Sequence, residues 1–218
     1  MGLRINFKCN TFVKSLFMSK KVVGIAMGGH SSEREISLKS GNTVYQVLPQ
    51  SRWNCFKIIL DKNNWTVIDQ KENQFLLDPK KFTFKMNKKI IHFDVVFNAI
   101  HGEPGEDGKL AESLDQLKIP HTSCSQKIAA LTFNKRDFLE KVKEWQIPVA
   151  KSFAFNDGEI LDIDTIEKKV GMPCFVKPNR SGSSYGIVKV YEKKALKEAL
   201  NIALKEDNQL IIESALVG

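Results

Sequence analysis

The chain has 218 residues, 42% apolar and 27% charged, which are ordinary values for a globular protein. A chain of this length buries roughly 70% of the surface its unfolded form exposes, and no run reaches the roughly 18 apolar residues that a membrane-spanning helix needs. A net charge of +8 raises nucleic acid as a partner, but the lysines alternate with acids, as in EKKALKEALNIALKED. They read as solvated helix faces ahead of a nucleic-acid surface.

The first 17 residues carry Arg4, Lys8 and Lys14 and no acid. They lack a long apolar segment and a small-residue cleavage site, and Asn6 stands where a myristoylation motif has Ser or Thr. Met18 is the expected start of the folded chain and 1–17 a non-structural extension, with a mitochondrial-type presequence as the alternative. Cys9, Cys55, Cys124 and Cys174 are isolated, with no C-x-x-C pair. Such spacing fits idle or buried thiols in a reducing compartment better than disulfides or zinc.

KKVVGIAM reads as a short buried strand, GGH as a turn, and SSEREISLKSGNTVYQVL as a helix opened by a capping box from Ser32 to Glu35. WNCFKIIL is the next strand. WTVID, NQFLLD and FTFKM are short strands of a meander, and FDVVFNAI is an apolar strand of the parallel-sheet kind. After the loop HGEPGEDGK come the helix LAESLDQL and the short strand IPHTS. Strand and helix thus alternate over 18–123, as in a doubly wound α/β domain.

One long helix, SQKIAALTFNKRDFLEKVKEW, is expected to open a second, α+β region. The strand VAKSFAF, the helix DIDTIEKKV and the strand PCFVKP follow, then a Ser/Gly loop, the strand GIVKVY, the helix KKALKEALNIALKE and the strand NQLIIES. The chain ends in ESALVG, which reads as interrupted soon after a strong strand.

Three segments carry chemistry. In FVKPNRSGSSYGIVKV a strand delivers Lys177, and Gly182 and Gly186 let backbone N–H groups turn toward one point, as an anion cradle requires. A plain hairpin with a polar loop satisfies the same residues, and no Walker A pattern occurs in the chain. In GGHSSERE, Glu33 and Glu35 fall in a first helical turn, where the dipole alone favours a carboxylate; alternatively, Glu33 at the sheet's C-terminal edge holds a cationic group. His101 in HGEPGEDG is a loop histidine or a polar wall of the same pocket.

Taken in order, GGHSSEREISLKSG, HGEPGEDGKLAESLDQLKIPHTS, ALTFNKRDF, GMPCFVKPNRSGSSYGIVKV and IIESALVG resemble the D-alanine–D-alanine ligase family of the ATP-grasp superfamily. The likeness runs from Ser19 to Gly218. It implies a substrate-binding α/β domain at 18–123, a central ATP-grasp subdomain at 124–213, and the opening of a C-terminal subdomain at 214–218. The implied reaction joins two D-alanines for peptidoglycan, with ATP and Mg2+ or Mn2+, through an acyl phosphate; the implied setting is a cytoplasmic homodimer.

By motif, the resemblance makes Glu33 the carboxylate for the first D-alanine's ammonium, His101 its polar neighbour, and Ser183 a substrate-ordering hydroxyl. Lys135 and Lys177 become phosphate lysines, and Ser181, Gly182, Ser184 and Gly186 a phosphate flap. Glu213 accepts from the adenine amino group, beside the Ala215–Leu216 hinge. Tyr185 departs from the smaller apolar residue common in the family.

In the family about a third of the enzyme follows this point and carries the metal ligands and the second wall of the nucleotide site. A lysine pair without that wall binds nucleotide weakly, so weak or absent turnover is expected of the chain as given. Other readings are a different ATP-grasp carboxylate–amine ligase, a non-catalytic nucleotide-binding remnant, and, through the charge, nucleic-acid binding with a steep salt dependence.

Overall fold

A computed structural model describes residues 20–216; the readings on 1–17 and Cys9, and the end of the last motif, lie outside them. The first sheet has seven strands in the order β6-β5-β4-β3-β2-β1-β7. Its parallel part is β1 (Lys21–Gly28) between β2 (Trp53–Leu60) and β7 (Val95–Asn98). The expected meander extends it antiparallel through β3 (Trp65–Ile68), β4 (Gln74–Asp78) and β5 (Thr83–Met86).

One further strand, β6 (Lys89–His92), was not read from the sequence. The turn before it uses Asn87 (φ 49°) and Lys88 (φ 63°). Two positive φ values in succession belong to a tight hairpin turn normally marked by Asn-Gly, and lysine in the second place hides the signal. IPHTS, expected as a strand, gives only an isolated parallel bridge between His121 and Val96.

Strand alternation explains how the sheet is covered. Val23, Ile25 and Met27 of β1 point to one face, where α1 (Arg34–Val47) lays Leu38 and Val44 on them. Ala26, Phe56, Ile58 and Val96 point to the other, against Leu110 and Leu114 of α2 (Lys109–Gln116) and a cluster of phenylalanines from the meander. Helices on both faces are the doubly wound arrangement.

The single long helix expected next divides at Asn134: α3 (Gln126–Phe133) ends there and α4 (Lys135–Glu144) begins. The Asn134 side chain accepts from the Asp137 amide at 3.2 Å, an N-cap within what the sequence presented as one periodic helix. Lys135 therefore occupies the first position of a helix rather than its middle.

The second sheet is antiparallel throughout, in the order β10-β9-β11-β8: β8 (Ser152–Asn156), β9 (Cys174–Pro178), β10 (Val188–Val190) and β11 (Gln209–Ser214). Val176, Leu210, Ile212 and Val190 point to α5 (Ile163–Val170) and α6 (Leu196–Ala203) and form its core. Phe175, Lys177 and Glu213, one residue out of phase, therefore point to the opposite face. Cys55 and Cys174 are buried, and burial pushes both thiols above the usual cysteine range. Among the described residues, no helix is long and apolar enough to cross a membrane.

Candidate functional site

The end of β1 is shaped by two glycines. Gly29 has φ +94°, and a Cβ there would stand 2.7 Å from the Glu103 carbonyl oxygen. Only glycine brings the two loops this close, and the His30 amide then donates to the Glu103 carbonyl at 2.8 Å. The GGHSSE turn and the HGEPGEDG loop thus meet at one sheet edge.

Glu33 is the N-cap residue of α1 and is 3% exposed. The expected capping box does not form: the Ser32 hydroxyl donates to Glu206 in the second half of the chain, and the Glu33 amide donates to the Ser31 hydroxyl. A tertiary partner has taken the hydroxyl that a local cap would use. Ser31 in turn donates to the His101 carbonyl at 2.8 Å, and the His101 imidazole Nε2 lies 3.2 Å from the Ser40 hydroxyl of α1. Glu33 and His101 are thereby brought to one wall.

Across from this wall stands the Ser/Gly loop. The Gly182 amide donates to Glu33 Oε2 at 3.2 Å, and a Cβ on Gly182 would lie 2.9 and 3.0 Å from the two carboxylate oxygens. A residue 149 positions away in sequence therefore shares an atom-to-atom contact with Glu33. Beyond it, Ser183 (φ 45°), Ser184 (φ 63°) and Tyr185 form an exposed tip, two of them in the left-handed region that costs an L-residue about 1–2 kcal/mol.

Lys135, at the start of α4, donates its ammonium to the Ser181 and Asn179 carbonyls. Burial pushes its pKa below the usual lysine range, the Lys177 ammonium pushes it further, and Asp207, Glu213 and Glu33 oppose both. A cation at a partly buried helix start, with the Lys177 ammonium of β9 near it, makes a place where an anion is favoured. Lys177, on β9, forms an ion pair of 2.6 Å with Glu213 on the neighbouring β11. Glu213 is 9% exposed; Ala215 donates its amide to the Pro173 carbonyl, and Leu216 is exposed.

A cleft of about 440 Å³ lined by Asn98, Glu106, Cys124, Lys135, Ser181 and Gly182 runs along the loop where it meets the first sheet's edge; Glu33 lies behind Gly182, outside its lining. A second, more polar hollow of about 410 Å³ lies on the other side of Glu33, against Arg180 and Asp207.

Residues that carry the loop were missed in the sequence. Asn179 is fully buried: its amide and side-chain Nδ2 donate to Gln209, its Oδ1 accepts from the Arg136 amide, and its carbonyl accepts from the Lys135 amide. Arg180 gives its amide (2.7 Å) and guanidinium (3.0 and 2.6 Å) to Asp207. A polar Asn-Arg pair directly after a buried strand was the available signal, but nothing in the sequence places 207 beside 180.

Two families match the chain: "D-ala D-ala ligase N-terminus" over residues 22–124 and "D-ala D-ala ligase C-terminus" over 141–218. The D-alanine–D-alanine ligase of Flavobacterium johnsoniae is 47% identical over 198 residues, and that of Christiangramia forsetii 42% over 199; each comparison covers 91% of this chain and 61% of the relative. The chain thus spans about 60% of the length of these relatives. Among solved structures, D-alanyl-alanine synthetase A from Vibrio cholerae superposes with a TM-score of 0.79 at 28% identity, covering 92% of this chain and 60% of that one. The VanG D-Ala:D-Ser ligase from Enterococcus faecalis gives 0.75 at 29%, covering 91% and 64%. A Bacillus anthracis D-alanine–D-alanine ligase complexed with ATP gives 0.68 at 25%, covering 91% and 60%.

Proposed function

The chain belongs to the D-alanine–D-alanine ligase family, and on that premise we propose that its cleft binds D-alanine and the phosphates of ATP for the ligation of two D-alanines. The observation that carries this reading is the contact between buried Glu33 and Gly182: one carboxylate from the first sheet's edge touches the loop that follows Lys177. An ammonium-binding group and a phosphate-binding loop are then neighbours, as a carboxylate–amine ligase requires.

In this reading the carboxylate oxygen of the first D-alanine attacks the γ-phosphorus and ADP leaves. The amine of the second then attacks the acyl carbon, loses a proton, and expels phosphate. Glu33 accepts one amide and retains acceptor sites for the first substrate's ammonium. His101 is a polar wall of that pocket, and Ser183 at the loop tip orders the reacting end. Lys135 and Lys177 carry phosphate charge, the loop from Ser181 through Gly182 and Ser184 to Gly186 folds over the phosphates, and Glu213 with the Ala215–Leu216 backbone takes the adenine. Catalysis by such parts is positioning and electrostatic stabilisation.

A magnesium or manganese ion belongs to this chemistry, but among the described residues no three His, Cys, Asp or Glu side chains come together as a ligand set. No step is assigned to a metal. A cytoplasmic homodimer serving peptidoglycan synthesis is the setting that the reading implies.

Calorimetry with D-alanine and with ATP separately tests it. Glu33→Gln is expected to weaken D-alanine binding by about tenfold or more, the loss of a charged contact, while ATP binding holds. Unchanged D-alanine affinity overturns the substrate assignment; no heat with either ligand favours a non-catalytic scaffold.

A further inference from the structure

The tip of the Ser/Gly loop, residues 183–185, is exposed, whereas Ser181, Gly182 and Gly186 on either side of it are half-buried. Asp207 holds the Arg180 end through the backbone amide and a forked guanidinium. The neighbouring Glu206 stands at the other end: a Cβ on Gly186 would lie 2.8 Å from its Cγ and 3.4 Å from its Cβ, so the loop closes directly on the Glu206 stem. Gly186 has φ +70° and is half-buried there. Two consecutive residues on the turn after α6 thus grip both ends of one loop.

Glu206 also reaches the first sheet. Its Oε2 accepts from the Ser32 hydroxyl at 2.7 Å, across 174 residues of sequence. Ser32 precedes Glu33, whose carboxylate takes the Gly182 amide. The pair Ser32–Glu33 therefore meets the loop twice: directly at Gly182, and through Glu206 at Gly186.

We propose that Glu206 is a positioning residue for the phosphate loop: its hydrogen bond with Ser32 fixes the Gly186 end against the first sheet, so that only residues 183–185 swing over a bound phosphate. The inference deepens the ligase reading and rests on it for the loop's ligand, though the mechanical link does not. An exposed hydroxyl–carboxylate bond is a weak source of stability for the fold as a whole, so its effect is expected locally, at the loop.

The test is hydrogen–deuterium exchange of the Gly182, Tyr185 and Ile187 amides in the ligand-free chain, with β9 and β11 as internal controls. Ser32→Ala and Glu206→Ala are each expected to raise exchange at these amides roughly tenfold, the loss of one charge-assisted hydrogen bond. The double variant should exchange no faster than either single one, and Glu206→Gln, which retains an acceptor, should stay near the parent rate. Parent-like exchange in both single variants, effects that multiply in the double variant, or equal loss of protection in β9 and β11 overturns the proposal.

A second measurement ties the link to function: Glu206→Ala should weaken ATP binding about tenfold and leave adenosine binding unchanged, whereas a merely structural role would affect both alike. If the parent chain binds no ATP, the nucleotide reading fails while the exchange result still decides the role of Glu206.

Discussion

A methyl group at position 182 would press on both oxygens of the Glu33 carboxylate. Gly182→Ala is therefore expected to turn Glu33 away from its amide partner and to weaken D-alanine binding about tenfold, with little change in the unfolding midpoint, measured by calorimetry and urea titration. Lys135 offers a pH test. Burial holds its pKa below the ordinary value of about 10.4. Depression of a lysine means that the folded chain loses the proton first as pH rises, so the cation that favours phosphate disappears at lower pH than an ordinary lysine would allow. ATP affinity should fall through that window, and Lys135→Arg, which stays charged, should move the fall to higher pH. The sign for stability is opposite: between the folded and unfolded pKa values the unfolded chain binds more protons, so this residue's contribution to stability rises with pH there.

At the scale of elements, one side chain ties α4 to two strands of the second sheet at once. Arg136 donates to the Phe155 and Leu210 carbonyls and to the Asn156 side chain, tying α4 to the adjacent strands β8 and β11. Arg136→Lys keeps the charge and loses the fork, and is expected to cost about 1–3 kcal/mol in urea unfolding. The elements themselves were mostly legible. β1, β9 and β11 announce themselves as apolar runs, and α6 as an amphipathic repeat. Helix α4 did not, because apolar period continues across Asn134 and only the Asn-to-Asp spacing betrays a new cap. The capping box at Ser32 was misread for a different reason: its local pattern is sound, but Glu206 competes for the same hydroxyl. Motifs found in order along the chain lead to the two walls of the candidate site; Asn179, Arg180 and Asp207, which hold one wall in shape, form long-range pairs that no short motif encodes.

For the molecule as a whole, the cleft lies where two separately cored sheets meet, so a ligand that touches both should stabilise both. D-alanine and ATP together are expected to raise the free energy of unfolding by about 2.7 kcal/mol for each ligand present at 100 times its dissociation constant, with Trp53 and Trp65 fluorescence in a Trp145→Phe background reporting the first sheet and exchange at β11 the second. Movement of one probe without the other would contradict a shared site. The ion pair between Lys177 and Glu213 has a further consequence, in kinetics. An approaching nucleotide meets Lys177 already neutralised, so at long range that side of the cleft presents a short dipole and not a charge. Its capture rate should therefore decline with added salt as though steered by Lys135 with little help from its neighbour, and Glu213→Gln, which frees the second cation, should make the encounter faster and the salt dependence steeper.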